Sequence, residues 1–160
     1  MSDMNLELDS ILTKRDSKQF STFFIGDSLF GIDVMQVQEV TKTLPVTQIP
    51  LAPTFVKGLM NLRGQLATAI ELRNLFELSE PAPETSMNVV CRSEGVLLSF
   101  LVDKIGDVVE LEDKNFESSP DTISDGVRKF MLGVYKTPGQ LLSIIEVPKI
   151  AQFLNNKVSR

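Results

Sequence analysis

The chain has 160 residues, of which 42 % are apolar, and its formal net charge at pH 7 is −5. This length and apolar content suit one domain with a substantial hydrophobic core, or two small subdomains. The acidic balance and a pI near 4.8 argue against a nucleic-acid-binding protein, because contact with a phosphate backbone needs a basic surface.

The composition also limits the chemistry. The chain contains no histidine, so it lacks the usual general base and the commonest transition-metal ligand. Ser-His-Asp and Cys-His catalysis are therefore excluded. The 21 Asp and Glu residues would still allow carboxylate-only catalysis, but they are scattered and show no EF-hand spacing, so we expect neither a metal nor another cofactor. The single cysteine, Cys91, lies in an apolar run and is expected to be a buried thiol. No apolar run approaches the roughly 18 residues of a membrane span, so we expect a cytoplasmic protein without membrane insertion.

The predicted elements are mostly short strands. Residues 1–18 are expected to form an amphipathic or frayed segment, because four apolar residues recur there at helical spacing: Met4, Leu8, Ile11 and Leu12. Four turn signals then separate runs of apolar and β-branched residues, and each predicts a hairpin: Gly26-Asp27, Arg63-Gly64, Ser93-Glu94-Gly95 and Lys136-Thr137-Pro138-Gly139. A helical period at the C-terminus predicts a second amphipathic helix, formed by Val147, Ile150, Ala151, Leu154 and Val158.

Proline-containing segments interrupt these strands. Pro45, Pro50 and Pro53 impose an extended connector, and Pro81-Ala82-Pro83 marks a loop midway along the chain. Regular βαβ alternation is absent, which favours small antiparallel barrels over a parallel doubly wound sheet. The midway loop suggests a first barrel mainly from residues 20–80 plus the C-terminal end, and a second mainly from residues 86–140.

The second hairpin carries the clearest candidate for a functional residue. Gly64 can take the positive φ that a short hairpin turn requires, and this geometry points Arg63 outward beside Asn61. An arginine on a rigid turn with apolar flanks is a suitable anchor for another protein, since Arg is enriched at binding hot spots. The alternative is that Arg63 only solvates the turn.

The same hairpin resembles a known signature. Val56-Lys57-Gly58-Leu59-Met60-Asn61-Leu62-Arg63-Gly64, followed by Ile70-Glu71-Leu72-Arg73, is similar to the signature of the CheW family, the coupling proteins of bacterial chemotaxis. Further motifs occur in the order of that family: Phe30-Gly31-Ile32-Asp33, Val37-Gln38-Glu39-Val40, Ile49-Pro50 to Phe55, Leu101 to Val108, and Gly133-Val134 with Leu142 to Glu146. The resemblance covers nearly the whole chain from Phe20 to Leu154.

This resemblance implies a fold and a function. The fold would be mainly β, with two five-stranded Src-homology-3-like barrels packed on a shared apolar core within residues 19–157, and short N- and C-terminal helices. The function would be that of a non-catalytic adaptor between methyl-accepting chemotaxis receptors and the histidine kinase CheA, whose regulatory domain has the same fold. Such a protein would be cytoplasmic and recruited to membrane-associated receptor arrays.

The resemblance also implies binding residues. The positions expected to face the receptor, including two neighbours on the hairpin turn, are Val37, Glu39, Gly58, Asn61, Arg63 and Gly64. Gly58 would admit close approach of a receptor helix, Val37 would give an apolar contact, and Glu39 with Arg63 would fix the register by charge. The residues alone allow other roles, because Val37 also suits a core, Glu39 a solvated face and Gly58 a bulge.

Kinase contacts are expected in a region, residues 87–113, where strand edges would pair with the matching barrel of the kinase. The chain departs from the family pattern at four positions: Thr68 in place of a usual proline, Glu71 in place of Asp, Ser99 in place of a frequent glycine, and the added charge of Lys104.

Two alternatives remain open at this stage. The chain would also fit a coupling protein of a different chemosensory array, serving surface motility or a second-messenger output. A small ligand-binding barrel would have to use carboxylates such as Asp33, Glu71 and Asp103, which lie singly in unrelated motifs without a Gly-rich phosphate loop.

Overall fold

The computed structural model describes residues 16–158, which form a mainly β fold. The strands are β1 (Ser17–Ile25), β2 (Ser28–Asp33), β3 (Val37–Lys42), β4 (Val56–Leu62), β5 (Gln65–Glu71), β6 (Met87–Ser93), β7 (Val96–Val102), β8 (Lys104–Glu112), β9 (Phe116–Glu117), β10 (Met131–Thr137) and β11 (Gln140–Ile145). The helices are α1 (Leu72–Leu75), α2 (Asp125–Arg128) and α3 (Val147–Val158), with 3-10 turns at Val34–Gln36 and Asp113–Asn115.

These strands form two sheets. The first sheet has the order β8-β1-β2-β11-β10-β9, and the second has the order β3-β6-β7-β5-β4. Most neighbours are antiparallel, but each sheet contains one parallel pair, β2 with β11 and β5 with β7. The mainly β fold of two small units is as predicted, although β9 gives the first sheet a sixth, two-residue strand.

The division of the chain between the sheets differs from the predicted halves. The first sheet takes β1 and β2 from the start of the chain and β8 to β11 from its end, whereas the second takes β3 to β7. The chain therefore leaves the first sheet after Asp33, completes the second, and returns at Asp103. The Pro81–Pro83 loop lies within the second sheet, between β5 and β6, rather than between two barrels.

All four predicted hairpins are confirmed, and their turns have the expected backbone geometry. The pairs β1 with β2, β4 with β5, β6 with β7, and β10 with β11 are antiparallel neighbours. A glycine with positive φ lies at each turn, at Gly26, Gly64, Gly95 and Gly139. These turns need glycine because its missing Cβ removes the steric penalty of a left-handed backbone.

Strand alternation distributes the apolar residues over separate cores. On β7, Leu97 and Leu101 point into a core inside the second sheet, whereas Leu98, Phe100 and Val102 point into a larger core shared by both sheets. Because both faces of β7 are buried, its sequence is a continuous apolar run rather than an alternating one. The shared core fixes the two sheets against each other, as predicted from the resemblance.

The C-terminal helix and Cys91 both contribute to the shared core. Helix α3 is confirmed, and it buries Val147, Ile150 and Leu154 against the shared core. Cys91 is fully buried in that core, and burial raises the pKa of its thiol to about 12. The predicted N-terminal amphipathic segment lies largely outside the described residues, since strand β1 already begins at Ser17. No helix between residues 16 and 158 is long and apolar enough to cross a membrane.

Candidate functional site

The β4–β5 turn presents Arg63 to solvent in an unusual conformation. Leu62 pairs with Gln65, so Arg63 and Gly64 form a two-residue loop, and both have positive φ, 52° and 85°. Positive φ at both central positions is the mark of a type I′ turn, which favours Asn or Asp before Gly. An arginine at this position costs conformational energy that Asn would largely avoid, and such local strain is typical of functional sites.

Glu39 holds the side chain of Arg63, and Asn61 holds the backbone of its turn. Its Nε lies 3.1 Å from Oε2 of Glu39, and the Arg63 side chain is 79 % exposed whereas that of Glu39 is 23 % exposed. The Gly64 N–H donates a 2.9 Å hydrogen bond to Oδ1 of Asn61, which secures the turn. Since β3 and β4 are the two edge strands of the second sheet, the Arg63–Glu39 pair bridges these two edges. The structure thus brings together Glu39, Asn61, Arg63 and Gly64.

Val37 and Gly58 occupy different surroundings from these four residues. Val37 is half-buried and packs against the shared core, in agreement with its alternative role. Gly58 is buried with φ of 150°, next to a register shift in the β4–β5 pairing. A Cβ at Gly58 would collide with the carbonyl of Thr47, whose backbone pairs with Leu59. The close backbone approach expected of a receptor helix is therefore made by the chain's own connector, beside a bulge.

An apolar groove, which sequence reasoning missed, begins near this turn. It runs between the connector at residues 49–53, the outer face of β5 and β7, and helix α3. Its apolar lining includes Ile49, Leu51, Leu59, Val96 and Leu154. Leu51 has φ of 63° and a fully exposed side chain, which is a strained arrangement for a bulky residue.

Exposed apolar side chains continue from the groove toward the turn of the β4–β5 hairpin. The parallel register of Ala67 with Leu97 places Leu66 beside Val96, and these two side chains are 67 % and 49 % exposed. Leu66 also pairs with Asn61 across the hairpin. The exposed apolar surface thus continues from the connector to the hairpin turn that carries Arg63. The sequence signal for this surface is the apolar character of Ile49-Pro50-Leu51, whose proline predicts only an extended connector.

The predicted kinase region, residues 87–113, contains three strands with different edges. Strand β6 lies between β3 and β7, and β7 lies between β6 and β5, so both have neighbours on each side. Strand β8 pairs only with β1 among the described strands, and Val108 on it is 61 % exposed. A second groove lies along β8, lined by Phe24, Ile105, Val109 and Leu142 among others.

Two of the departures from the family pattern have local partners in this region. Ser99 is fully buried, and its hydroxyl donates a 3.1 Å hydrogen bond to Oδ1 of Asn88. Nδ2 of Asn88 in turn donates to the carbonyl of Lys42 at 3.1 Å, so the added hydroxyl is satisfied internally. The Lys104 ammonium lies 5.7 Å from the centre of the Phe24 ring, within range of a cation–π contact at the surface.

A buried ion pair lies where the chain passes from β7 to β8. Arg73 donates to both carboxylate oxygens of Asp103, and the Gly26 N–H donates to Oδ2 of Asp103 at 2.7 Å. The hydrogen bond to Asp103 raises the pKa of Arg73. Burial alone would raise the pKa of Asp103, but the hydrogen bonds from Arg73 and Gly26 outweigh it and lower that pKa. These groups link the β1–β2 turn, α1 and the crossover, so Asp103 has a structural role here.

Comparisons with known proteins agree with this fold. A family model described as a CheW-like domain matches residues 19–154. The chemotaxis protein CheW of Treponema pallidum is 30 % identical over 137 residues, which cover 82 % of this chain and 81 % of that protein. Protein FrzA of Myxococcus xanthus is 24 % identical over 146 residues, covering 86 % and 88 %.

A solved structure gives the same result. The crystal structure of the scaffolding protein TtCheW from Thermoanaerobacter tengcongensis matches with a TM-score of 0.73 and 28 % sequence identity, covering 81 % of this chain and 88 % of that one. This similarity confirms the predicted fold of two Src-homology-3-like β units. The chain therefore belongs to the family of proteins with a CheW-like domain, which includes chemotaxis and scaffolding proteins.

Proposed function

We propose that this protein is a non-catalytic scaffold that couples methyl-accepting chemoreceptors to the histidine kinase CheA. Membership of a family that includes chemotaxis and scaffolding proteins supports this role. The observation that carries it is Arg63, an exposed arginine in a left-handed turn that is paired with Glu39 and lies at one end of an exposed apolar surface. An exposed apolar groove suits the apolar face of an amphipathic helix, and a cation beside it suits an acidic residue on such a helix.

We assign the receptor to the surface around Arg63, with Glu39, Asn61 and Gly64 beside it. Glu39 and Arg63 would fix the register of the receptor helix by charge, and the exposed apolar surface from Leu51 to Leu66 would bury its apolar face. Val37 is half-buried and Gly58 is buried, so both residues would act from beneath this surface.

We assign the kinase to β8, within the predicted region of residues 87–113. Its edge opposite β1 is free among the described strands, and the exposed Val108 lies on it. A free edge can pair with a strand of another barrel through backbone hydrogen bonds. Since β8 and the Arg63 surface lie in different sheets, one molecule could hold both partners at once.

Coupling follows from differential affinity. A scaffold changes kinase activity only if it binds two receptor conformations with different free energies, because a partner shifts an equilibrium by that difference alone. The rigid shared core between the sheets would carry such a difference from the receptor surface to the kinase edge.

The test is reconstitution of the three-component complex. The protein is mixed with CheA and with the cytoplasmic fragment of a chemoreceptor encoded in the same genome, and kinase capture by the receptor is measured in a pull-down. We expect capture with the wild-type chain, and loss of capture with Arg63→Ala. The matched control is Lys136→Ala, because that side chain is 76 % exposed and lies in the other sheet.

Two results would contradict the proposal. The first is failure of the wild-type chain to bridge kinase and receptor, and the second is equal capture by the Arg63→Ala and Lys136→Ala variants. Use of receptors from different arrays in the same assay decides which array the protein serves.

A further inference from the structure

Arg92 is a second arginine on the surface that carries Arg63, and sequence reasoning did not select it. It lies on β6 and is exposed. Its Nε donates to Oε1 of Gln38 at 3.3 Å, and its Nη2 donates to Oε1 of Gln65 at 2.8 Å. Gln38 precedes Glu39, and Gln65 follows Gly64. Arg92 is therefore tied to both segments that form the proposed receptor surface.

The fold explains why Arg92 points to this end of the second sheet. Alternation on β6 places Arg92 on the same face as Val90, and alternation on β5 places Gln65 on the same face as Ala67. Val90 and Ala67 both belong to the core inside the second sheet. Arg92 and Gln65 thus continue the inner faces of their strands beyond the buried layer, where the interior of the sheet opens to solvent.

The two arginines differ in their charge balance. Arg63 faces the carboxylate of Glu39, whereas the hydrogen-bond partners of Arg92 within residues 16–158 are neutral amide oxygens. Those two bonds use two of the five N–H groups of a guanidinium, and the side chain is held in one orientation by amides on both sides. The surface therefore keeps one unmatched cation on a chain whose net charge is −5.

We propose that Arg92 is a further contact residue of this surface, and that it binds an acidic side chain of the receptor helix that docks beside Arg63. This inference rests on the proposed function. A preorganised guanidinium with free N–H groups fits a carboxylate through paired hydrogen bonds, and it loses little side-chain entropy on binding. The ligand chemistry is thus an Asp or Glu on a helix whose neighbouring residues contact Arg63.

The experiment measures affinity for the cytoplasmic fragment of a chemoreceptor encoded in the same genome, by calorimetry at several salt concentrations. We expect Arg92→Ala to weaken binding about tenfold and to reduce its salt dependence, because one charge contact is lost. Arg92→Glu should weaken binding further, and a receptor variant with one acidic residue changed to Lys should restore it. Lys136→Ala is the control for loss of an exposed cation, and thermal unfolding verifies that each variant folds.

The possible failures are distinguishable. Wild-type affinity in Arg92→Ala together with weakened binding in Arg63→Ala would overturn this inference and leave the proposed function intact. An Arg92→Glu variant that binds no worse than Arg92→Ala, with unchanged salt dependence, would also overturn it, because Arg92 would then only position Gln38 and Gln65. Wild-type affinity in Arg63→Ala would overturn the proposed function itself.

Discussion

Arg73 and Asp103 form a bidentate ion pair that joins the two sheets. Nη1 of Arg73 lies 2.9 Å from Oδ1 of Asp103, and Nη2 lies 2.6 Å from Oδ2. The side chains are only 8 % and 16 % exposed, so neither charge has full access to water. Because Asp103 also accepts from the backbone of Gly26, one carboxylate holds three segments of the chain together.

Removal of one partner of the Arg73–Asp103 pair should therefore lower the stability of the fold. We expect Arg73→Ala to lower the free energy of unfolding by about 3 kcal/mol, because it leaves the Asp103 charge partly buried and unpaired. Urea unfolding measures the change. Lys136→Ala, which breaks the exposed pair with Glu117, should change stability by less than about 0.5 kcal/mol. Equal effects of the two substitutions would show that the buried pair adds nothing to stability.

The same pair predicts a pH dependence. The pKa of Asp103 is lowered below its ordinary value of 3.8 in the folded state, so the unfolded state binds more protons in acid. The stability that this carboxylate contributes is therefore complete at neutral pH and is lost as the pH falls below 3.8 through the folded-state pKa. Urea midpoints of wild type and Asp103→Asn should differ at pH 7 and converge in acid. A constant difference across this range would contradict the assignment.

Gly58 should be required for the stability of the fold. A Cβ at this position would collide with the Thr47 backbone, so we expect Gly58→Ala to lower the free energy of unfolding by roughly 2 kcal/mol. Gly95→Ala is the control, because Gly95 also has positive φ but has no atom within 4 Å of an added Cβ. Calorimetry measures the melting temperatures of both variants. The cost of the positive φ is present in both, whereas the cost of the clash is present only in Gly58→Ala. A Gly58→Ala variant with unchanged melting temperature and weakened receptor binding would instead place Gly58 in the interface.

Arg63 should show a conflict between stability and binding. Asn is preferred over Arg before Gly in a type I′ turn, so we expect Arg63→Asn to raise the free energy of unfolding by about 0.5 kcal/mol. This gain should exceed the loss of the exposed pair with Glu39, which is a weak contribution. The same variant should bind the receptor fragment more weakly. Lower stability in Arg63→Asn, measured by urea unfolding, would mean that Arg63 serves the turn itself.

Cys91 should be unreactive in the folded protein. Its thiol is fully buried and its pKa is raised to about 12, so almost no thiolate is available at neutral pH. We expect a colorimetric thiol reagent to react at once in urea and only at the rate of unfolding in buffer. Fast reaction of the native protein would contradict the packing of the shared core. If the prediction is correct, cysteines introduced elsewhere can be labelled without removal of Cys91.

Local signals allowed part of this fold to be predicted. The four hairpins were predictable because each depends on a turn residue such as Gly64 or Gly95 and on apolar residues a few positions away. Helix α3 was predictable because its apolar stripe repeats at a helical period. Arg63 was predictable as an exposed side chain because the geometry of its turn follows from the neighbouring glycine.

Long-range pairings could not be predicted from such signals. The parallel neighbours β2 with β11 and β5 with β7 are distant in sequence, and no turn residue records them, so the division into halves differed from the sheets. Arg73 and Asp103 each follow an apolar strand, but nothing in the sequence indicates that they meet. For the same reason the contact between Gly58 and the backbone of Thr47 could not be predicted.

The order of strands along the chain also has a consequence for synthesis. All five strands of the second sheet, β3 to β7, have left the ribosome once Val102 has been added and the exit tunnel cleared. The first sheet contains β1 and β2, but it is complete only after β11, which pairs with β2 and is the last of the described strands in chain order. During translation β1 can pair with β2 at once and with β8 soon after the second sheet is complete, whereas β2 gains its second neighbour only with β11. A nascent chain stalled before β10 would therefore expose the edge of β2.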